Sequence, residues 1–291
     1  MSTILITGCS TGIGFATAEL MARNSHTVYA TMRNPQHAPE LAQLAERDNL
    51  PITILPMDVD SDESVNAAVA RVLAQAVQID VLVNNAGIGP LGPVEETPVT
   101  EFQAIMQTNY VGTLRCIQAV LPGMRERGEG CIINISSVAG KLYSPFHGAY
   151  AASKAAVEAL SECLAGEVGP LGIRVAVVQP GVIDTPIHDK YDPIATYTKY
   201  PNQIRLRAYL SASRDNHVPV AVVARVVQAI ATGEQTAFRN PVGADAGPLL
   251  GWRASLSDED WIASAGMDEE TWIAGMAQLG ADVRPYLNVI A

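Results

Sequence analysis

Residues 3–14 read TILITGCSTGIG, and the fold expected of the chain follows from this segment. TILIT (3–7) is a short β-rich run, and Gly8, Gly12 and Gly14 follow it before a helical pattern begins. Glycine lets a backbone turn tightly and approach a ligand closely. The helix behind such a turn offers free N–H groups and the positive end of its dipole, which suit a pyrophosphate. A glycine cluster alone is commonly only a structural turn, but between a first strand and a first helix it predicts dinucleotide binding.

The rest of the chain repeats the change from strand to helix. Further apolar runs are predicted as strands at 27–31, 52–57, 80–87, 131–136 and 173–181, and a short run near TAFRNPV (236–242) closes the pattern. Continuous apolar strands that alternate with helices are typical of a parallel sheet covered on both faces. The sequence therefore predicts an α/β protein with one Rossmann-type, doubly wound domain over residues 1–246.

Three segments depart from this alternation. Residues 101–126 are predicted to form one long helix, whereas residues 184–217 are irregular and rich in Tyr, Pro and Asp. Residues 247–291 are predicted to be a C-terminal helical extension, with two short amphipathic helices within 257–280. Tryptophan is costly to leave exposed. We therefore expect the tryptophans of the extension to pack on the domain or on a partner subunit; they are Trp252, Trp261 and Trp272.

Composition and charge narrow the classes of function. The 291 residues are 48% hydrophobic and 17% charged, and the formal net charge is -11. Because so acidic a surface repels phosphate backbones and anionic lipid, we expect no nucleic-acid partner and no membrane partner. The four cysteines are scattered without a CxxC pair, and MSTILITG does not look like a signal peptide. We therefore expect no metal site and a cytoplasmic location.

The end of the second predicted strand indicates which dinucleotide is bound. In NAD sites an acidic residue there takes the ribose hydroxyls. This chain has Met32 at that position, and Arg33 follows it. An arginine binds a 2′-phosphate that a carboxylate would repel, and Ser10 or Thr11 adds a hydroxyl. We therefore expect NADPH to be preferred over NADH; the alternative is that Arg33 is only a solvated surface residue.

Seven motifs occur together over about residues 3–240. They are TGCSTGIG (7–14), Asp58-Val59, NNAG (84–87), Asn109, the ISS that ends at Ser137, Tyr150-x-x-x-Lys154 and PGVIDT (180–185). In their kind and order the chain resembles the classical short-chain dehydrogenase/reductase family. VYATMRN (28–34) and RNPVGADA (239–246) resemble its branch of estradiol-type hydroxysteroid and retinol dehydrogenases.

The segment AYAASKAAVEAL (149–160) carries the predicted chemistry. Tyr150 and Lys154 stand four residues apart and share one face of a helix. A phenol has a pKa of about 10, and an ammonium nearby lowers it by stabilising phenolate. Tyr150 is therefore the predicted general acid/base for hydride transfer between a ketone or aldehyde and an alcohol. The alternative for this pair is a solvated surface contact.

The remaining catalytic roles follow from the resemblance. Ser137 ends a strand at the carboxyl edge of the sheet, where its hydroxyl is expected to hold the substrate oxygen. The resemblance implies that Lys154 also binds the nicotinamide ribose. It further implies that Asn109 orders a water that relays protons to Lys154.

The resemblance also implies the cofactor contacts. Asp58 is expected to bind the adenine amino group and Val59 the adenine ring. Residues 85–87 are expected to line the adenosine ribose, and residues 180–183 with Thr185 to cover the nicotinamide. The full predicted cofactor site is Gly8, Ser10, Thr11, Gly12, Ile13, Gly14, Arg33, Asp58, Val59, Asn85, Ala86, Gly87, Tyr150, Lys154, Pro180, Gly181, Val182, Ile183 and Thr185.

The substrate is predicted to bind beneath a lid of about residues 186–217. Its aromatic and aliphatic side chains suit an apolar ketone or alcohol, resembling a steroid, a retinoid or an aryl ketone. Such side chains also form small cores of their own, which is the alternative. Tyr143, His147 and Tyr191 are candidate substrate contacts beside Ser137.

Two other classes of function compete with an enzyme. A non-catalytic dinucleotide-binding redox sensor uses the same fold, and a scaffold would use the extension 247–291. Proteins of the first class usually lose the tyrosine or the lysine, and this chain keeps all four catalytic positions. The resemblance also implies a homo-oligomer built on helices 101–126 and 150–168.

Overall fold

A parallel sheet lies at the centre of the computed structural model, which describes residues 1–187, 199–200, 202–215 and 218–287. The strands are β1 (Thr3–Ile6), β2 (Thr27–Met32), β3 (Ile52–Pro56), β4 (Val81–Asn84), β5 (Gly130–Ile135), β6 (Ile173–Pro180) and β7 (Arg239–Val242). Their order is β3-β2-β1-β4-β5-β6-β7, and each neighbouring pair is parallel. This confirms the predicted doubly wound fold.

Helices cover both faces of the sheet. They are α1 (Gly12–Arg23), α2 (Glu40–Arg47), α3 (Asp62–Ala76), α4 (Val99–Met106), α5 (Gly112–Arg127), α6 (Gly148–Val168), α7 (Gln203–Asp215), α8 (Val220–Thr232), α9 (Ala246–Ala254), α10 (Asp258–Ser264), α11 (Glu269–Gln278) and α12 (Arg284–Leu287). Side chains alternate along each strand. Ile4 and Ile6 therefore join the core beneath α1, α2 and α8, while Leu5 joins the core beneath α3, α5 and α6.

The predicted long helix at 101–126 is interrupted. A π-helical turn, Gln107–Val111, separates α4 from α5 and contains Asn109. Single π turns inside α-helices are frequent at functional sites. The apolar spacing of the sequence does not show the one-residue insertion that such a turn introduces.

The C-terminal extension packs on the predicted lid. Helix α7 lies within the segment 184–217, which the sequence pattern described as irregular. Its residues Ala208 and Ala212 share a small hydrophobic cluster with Trp272, Ile273 and Met276 of α11. Trp272 therefore packs within the same chain, which is the first of the two arrangements expected for the extension.

No helix in the described ranges is long and apolar enough to cross a membrane.

Candidate active site

A cavity of about 610 Å³ opens at the carboxyl ends of the strands. The order of the strands reverses beside β1, between β2 and β4, which is where open α/β sheets bind ligands. All predicted cofactor residues except Gly14 line this cavity, as do Ser137, Tyr143 and His147. Tyr191 lies outside the described residues.

The glycine turn brings backbone close to this cavity. Gly8 and Gly12 have φ angles of 72° and 62°, in the left-handed region that glycine adopts readily. Thr11 precedes α1, and its side chain makes no capping hydrogen bond. The first N–H groups of α1 are thus not capped by that side chain, and Ser10, Thr11, Gly12 and Ile13 line the cavity beside them. This arrangement suits an anion such as a pyrophosphate.

Gly14 lies behind the turn, in close contact with Gly8 and Asn85. A Cβ on Gly14 would lie 2.5 Å from Asn85 Nδ2 and closer still to the carbonyl oxygen of Gly8. Asn85 Nδ2 donates to the carbonyl oxygens of Thr7 (2.9 Å) and Gly8 (3.0 Å). Gly14 therefore permits the contact between the turn and the loop after β4.

We expect Gly14→Ala to lower the free energy of unfolding by about 3 kcal/mol or more, because the new methyl group meets backbone that cannot move away cheaply. Thermal or urea unfolding measures this change. Gly166→Ala in α6 is the matched control, since a Cβ there has nothing within 4 Å and alanine favours a helix. Equal stabilities for the two variants would contradict the tight packing of the turn.

The loop after β4 is anchored to β1. The Thr7 hydroxyl accepts hydrogen bonds from the N–H groups of Asn85 (3.0 Å) and Ala86 (2.9 Å). The sequence reasoning missed Thr7, although its hydroxyl ends the first strand directly before the glycines. These contacts place Asn85, Ala86 and Gly87 at the cavity.

The side chains at the ends of β2 and β3 lie at the same cavity. Met32 is buried, and the exposed Arg33 that follows it lines the cavity. Asp58 Oδ1 accepts the N–H of Asp60 (3.1 Å), which shapes the loop after β3. The structure thus brings together the residues predicted to recognise the adenosine half of a dinucleotide.

The side chains of Ser137 and Tyr150 interact at the cavity, where Ser137 is buried and Tyr150 is partly buried. Ser137 Oγ is also 3.4 Å from the carbonyl oxygen of Pro180, to which it donates, and it accepts the N–H of Ala139 (3.2 Å). The His147 ring stacks on the Tyr150 ring, with centroids 4.8 Å apart. Two hydroxyl groups therefore converge at one point of the cavity wall.

Lys154 is buried one helical turn from Tyr150. Its Nζ donates to the carbonyl oxygen of Ile135 (2.8 Å) and lies 5.6 Å from the centroid of the Tyr150 ring. Burial lowers the pKa of Lys154 to about 8, while the charge of Glu158 acts in the opposite direction. Glu158 in turn accepts hydrogen bonds from Gln179 (3.0 Å) and Arg239 (2.8 Å), which hold α6 against the sheet.

The expected direction of the tyrosine pKa is wrong. The sequence argument had the ammonium of Lys154 lower it, but burial raises the pKa of Tyr150 to about 12, and the hydrogen bond with Ser137 only partly offsets this. A phenolate at this position loses hydration, and the interaction with Ser137 does not make up for that loss. Tyr150 is therefore a protonated phenol at neutral pH.

Asn109 reaches the same region from the π turn. Its Nδ2 donates to Ile88 O (2.8 Å) and Ser153 Oγ (2.9 Å), and its Oδ1 accepts the N–H of Ile88 (2.8 Å). A Cβ on Gly87 would lie 3.3 Å from Asn109 Oδ1 and 3.7 Å from Lys154 Nζ. Asn109 thus fixes the loop that faces Lys154, and its role in a proton relay stays a prediction.

The loop after β6 is held by an aspartate that the sequence reasoning did not single out. Asp245 Oδ2 accepts the N–H of Val182 (2.9 Å) and the hydroxyl of Tyr209 (2.9 Å). A Cβ on Gly181 would collide with this carboxylate. Asp245 therefore joins the residues predicted to cover the nicotinamide to α7.

The far wall of the cavity comes from α7 and the C-terminal extension. Sequence reasoning assigned no site residue to the extension, yet its side chains line the cavity together with those of α7; they are Arg205, Leu206, Tyr209, Leu210, Leu249, Trp252, Trp261, Ile262, Met267, Trp272 and Met276. Trp261 Nε1 also donates to the carbonyl oxygen of Tyr143 (3.2 Å), in the segment before Tyr150. The apolar spacing of the extension was the available signal, but it indicates burial and not a binding site.

Comparison with known families gives a match over most of the chain. Residues 2–194 match the family model described as short chain dehydrogenase. The chain is 41% identical over 187 residues to a 3-ketodihydrosphingosine reductase of Bacteroides thetaiotaomicron, which covers 64% of this chain and 65% of that protein. It is 38% identical over 195 residues to estradiol 17-beta-dehydrogenase 1 of Rattus norvegicus, covering 65% and 56%. It is 37% identical over 203 residues to retinol dehydrogenase 8 of Homo sapiens, covering 68% and 64%. The alignments thus span less than two thirds of these relatives.

Solved structures resemble the chain over a greater length. A short-chain dehydrogenase from Streptomyces avermitilis superposes with a TM-score of 0.78 and 32% identity, over 91% of this chain and 98% of that one. ElxO with NADP bound superposes with a TM-score of 0.69 and 28% identity, over 83% and 97%.

Proposed function

The chain belongs to the short chain dehydrogenase family, in the branch of estradiol 17-beta-dehydrogenase and retinol dehydrogenase, and we propose that it is an NADPH-dependent carbonyl reductase that also runs in reverse as an alcohol dehydrogenase. One observation carries the proposal. The side chains of Ser137 and Tyr150 interact within the same cavity into which the glycine turn opens. The proposed proton donor and the proposed dinucleotide site therefore share one cavity.

The residues present fit a dinucleotide. The first turn of α1, which the Thr11 side chain does not cap, suits the pyrophosphate. Gly12 packs closely against Thr185, since a Cβ on Gly12 would lie 3.2 Å from Thr185 Cγ2. Arg33 is the residue proposed to hold a 2′-phosphate. When bound, NADPH supplies the hydride that reduces the carbonyl carbon.

The side chains of this protein would supply the proton. Ser137 Oγ holds the carbonyl oxygen of the substrate, which orients the carbonyl carbon. Tyr150 donates its phenolic proton to that oxygen, which suits a phenol that burial keeps protonated at neutral pH. Lys154, one turn away, stabilises the phenolate that forms. In the oxidation of an alcohol the same proton returns to Tyr150.

The walls of the cavity favour an apolar substrate. Aromatic, aliphatic and methionine side chains dominate the part formed by α7 and the extension. Such a surface suits a steroid-, retinoid- or aryl-ketone-like molecule better than a sugar.

The cofactor test uses Arg33→Asp. We expect the wild type to prefer NADPH over NADH, and the variant to raise KM for NADPH about a hundredfold while changing KM for NADH little, because a carboxylate repels the 2′-phosphate. Initial rates with an aryl ketone, followed by nicotinamide absorbance, measure both constants. Arg225→Met, an exposed arginine on α8, is the control for loss of a positive charge. A wild type that prefers NADH would contradict the role of Arg33.

A further inference from the structure

The cavity wall formed by α7 and the C-terminal extension is mostly apolar, and among its described residues Arg205 carries a charge. Three tryptophans and two methionines come from the extension, and Leu206 and Leu210 come from α7. Arg205 lies among them on α7 and also lines the cavity. A guanidinium is always charged at physiological pH, so its position in this wall requires an explanation.

The guanidinium of Arg205 is left with an unused donor. Its Nη1 is buried from solvent and has no hydrogen-bond partner among the residues that the structure describes. The guanidinium carbon lies 5.7 Å from the centroid of the Trp272 ring. A ring face attracts the positive charge, but it does not accept the N–H groups that point outward in the guanidinium plane. A buried, unsatisfied donor costs free energy, and an acceptor in the cavity would remove this cost.

Three carboxylates of α7, α11 and the loop before α9 each bond to other groups. Asp215 accepts the hydroxyl of Tyr286, and Glu270 pairs with Arg284 at 2.7 Å. Asp245 is bonded to Val182 and Tyr209. Within the part of the chain that the structure describes, the acidic residues that line the cavity are Asp58 and Asp60, and both follow β3. Within the described ranges no carboxylate is bonded to Arg205, and a ligand in the cavity can supply an acceptor.

We propose that the substrate carries an anionic oxygen group, a carboxylate or a sulfate, at the end remote from its reacting carbonyl, and that Arg205 binds this group. The inference rests on the proposed function and names the class of substrate for the same site. The planar guanidinium matches a carboxylate with two parallel hydrogen bonds. The tryptophans and methionines contact the apolar body between the two ends. Arg205 is a specificity-determining residue and takes no part in the transfer of hydride or proton.

The test compares biphenyl ketones that carry a carboxylate two, four or six methylenes from the carbonyl with their methyl esters and with the corresponding amines. For the best spacer we expect kcat/KM for the acid to exceed that for the ester by about tenfold to a hundredfold, and the amine to be the poorest of the three. In Arg205→Met the preference for the acid should vanish while the rate with the ester is retained. Arg205→Lys should keep part of the preference, and Arg225→Met, an exposed control, should keep all of it.

Binding provides a readout that does not need turnover. Quenching of tryptophan fluorescence by the same acids and esters measures affinity directly, because Trp252, Trp261 and Trp272 line the cavity. An acid preference in binding that Arg205→Met abolishes supports the inference even if no ketone is reduced, an outcome that would overturn only the proposed function. Reduction of acids and esters at equal rates, with equal affinities, would overturn the inference alone. So would an acid preference that survives in Arg205→Met.

Discussion

Tyr150→Phe is expected to lower kcat for ketone reduction about a thousandfold while the affinity for NADPH stays within about twofold of the wild type. The variant removes one hydroxyl group and so removes the proton that the carbonyl oxygen needs. It leaves the ring in place, and the ring stacks on His147. Stopped-flow reduction measures kcat, and quenching of protein fluorescence by NADPH measures the dissociation constant.

The matched control is Tyr143→Phe, since Tyr143 also lines the cavity and its hydroxyl makes a long contact of 3.4 Å with the carbonyl oxygen of Gly140. We expect this variant to keep most of its kcat. If Tyr150→Phe and Tyr143→Phe lost activity equally, the assignment of the general acid to Tyr150 would be wrong. A protein that acts as a redox sensor or a scaffold would be indifferent to both changes.

Lys154→Met is expected to lower kcat about a hundredfold and to change the pH dependence of the rate. The methionine has nearly the length of the lysine but brings no charge to stabilise phenolate. Burial lowers the pKa of Lys154 to about 8, so in the wild type the rate of reduction should fall as the pH rises through about 8 and the ammonium is lost. The variant has no ammonium to lose, and this step in its pH profile should be absent. Steady-state rates between neutral pH and pH values above 9 measure both effects.

Unfolding measurements show whether Lys154→Met loses activity because of the missing charge or because the fold is less stable. Folding lowers the pKa of Lys154, so the unfolded chain binds the proton more tightly, and the charged lysine costs stability at pH values below about 8. This cost disappears as the pH rises above that value. Relative to the wild type, the variant should therefore be more stable at neutral pH than at high pH. At every pH its free energy of unfolding is reduced by the loss of the hydrogen bond to Ile135. A rate that drops in step with a lower melting temperature would contradict a catalytic role.

The sheet and the shared helix face of Tyr150 and Lys154 were predictable because each depends on a local sequence pattern. Strands buried on both faces read as continuous apolar runs, and the glycines of the turn after β1 all lie within residues 8–14. Tyr150 and Lys154 need only one helix to share a face. The structure contains these features as predicted, since placing them requires no knowledge of long-range contacts.

The far wall of the cavity was not predictable in the same way. The contact of α7 with α11 joins segments about sixty residues apart, and only that contact places Arg205 beside Trp272. The π turn at Asn109 is likewise a one-residue change that hydrophobic spacing does not record. The pKa of Tyr150 was misjudged because it depends on burial from all sides, whereas the sequence showed only the lysine one turn away.

Transfer of deuterium tests the central claim most directly. The protein is incubated with NADPH that carries deuterium at both positions of nicotinamide C4, together with an aryl ketone, and the alcohol product is analysed by mass spectrometry and NMR. The proposed reaction predicts one deuterium on the carbinol carbon and a solvent-derived proton on the oxygen, with no product above background in Tyr150→Phe. Alcohol without deuterium at that carbon, or equal product from Tyr150→Phe, would contradict hydride transfer at this site.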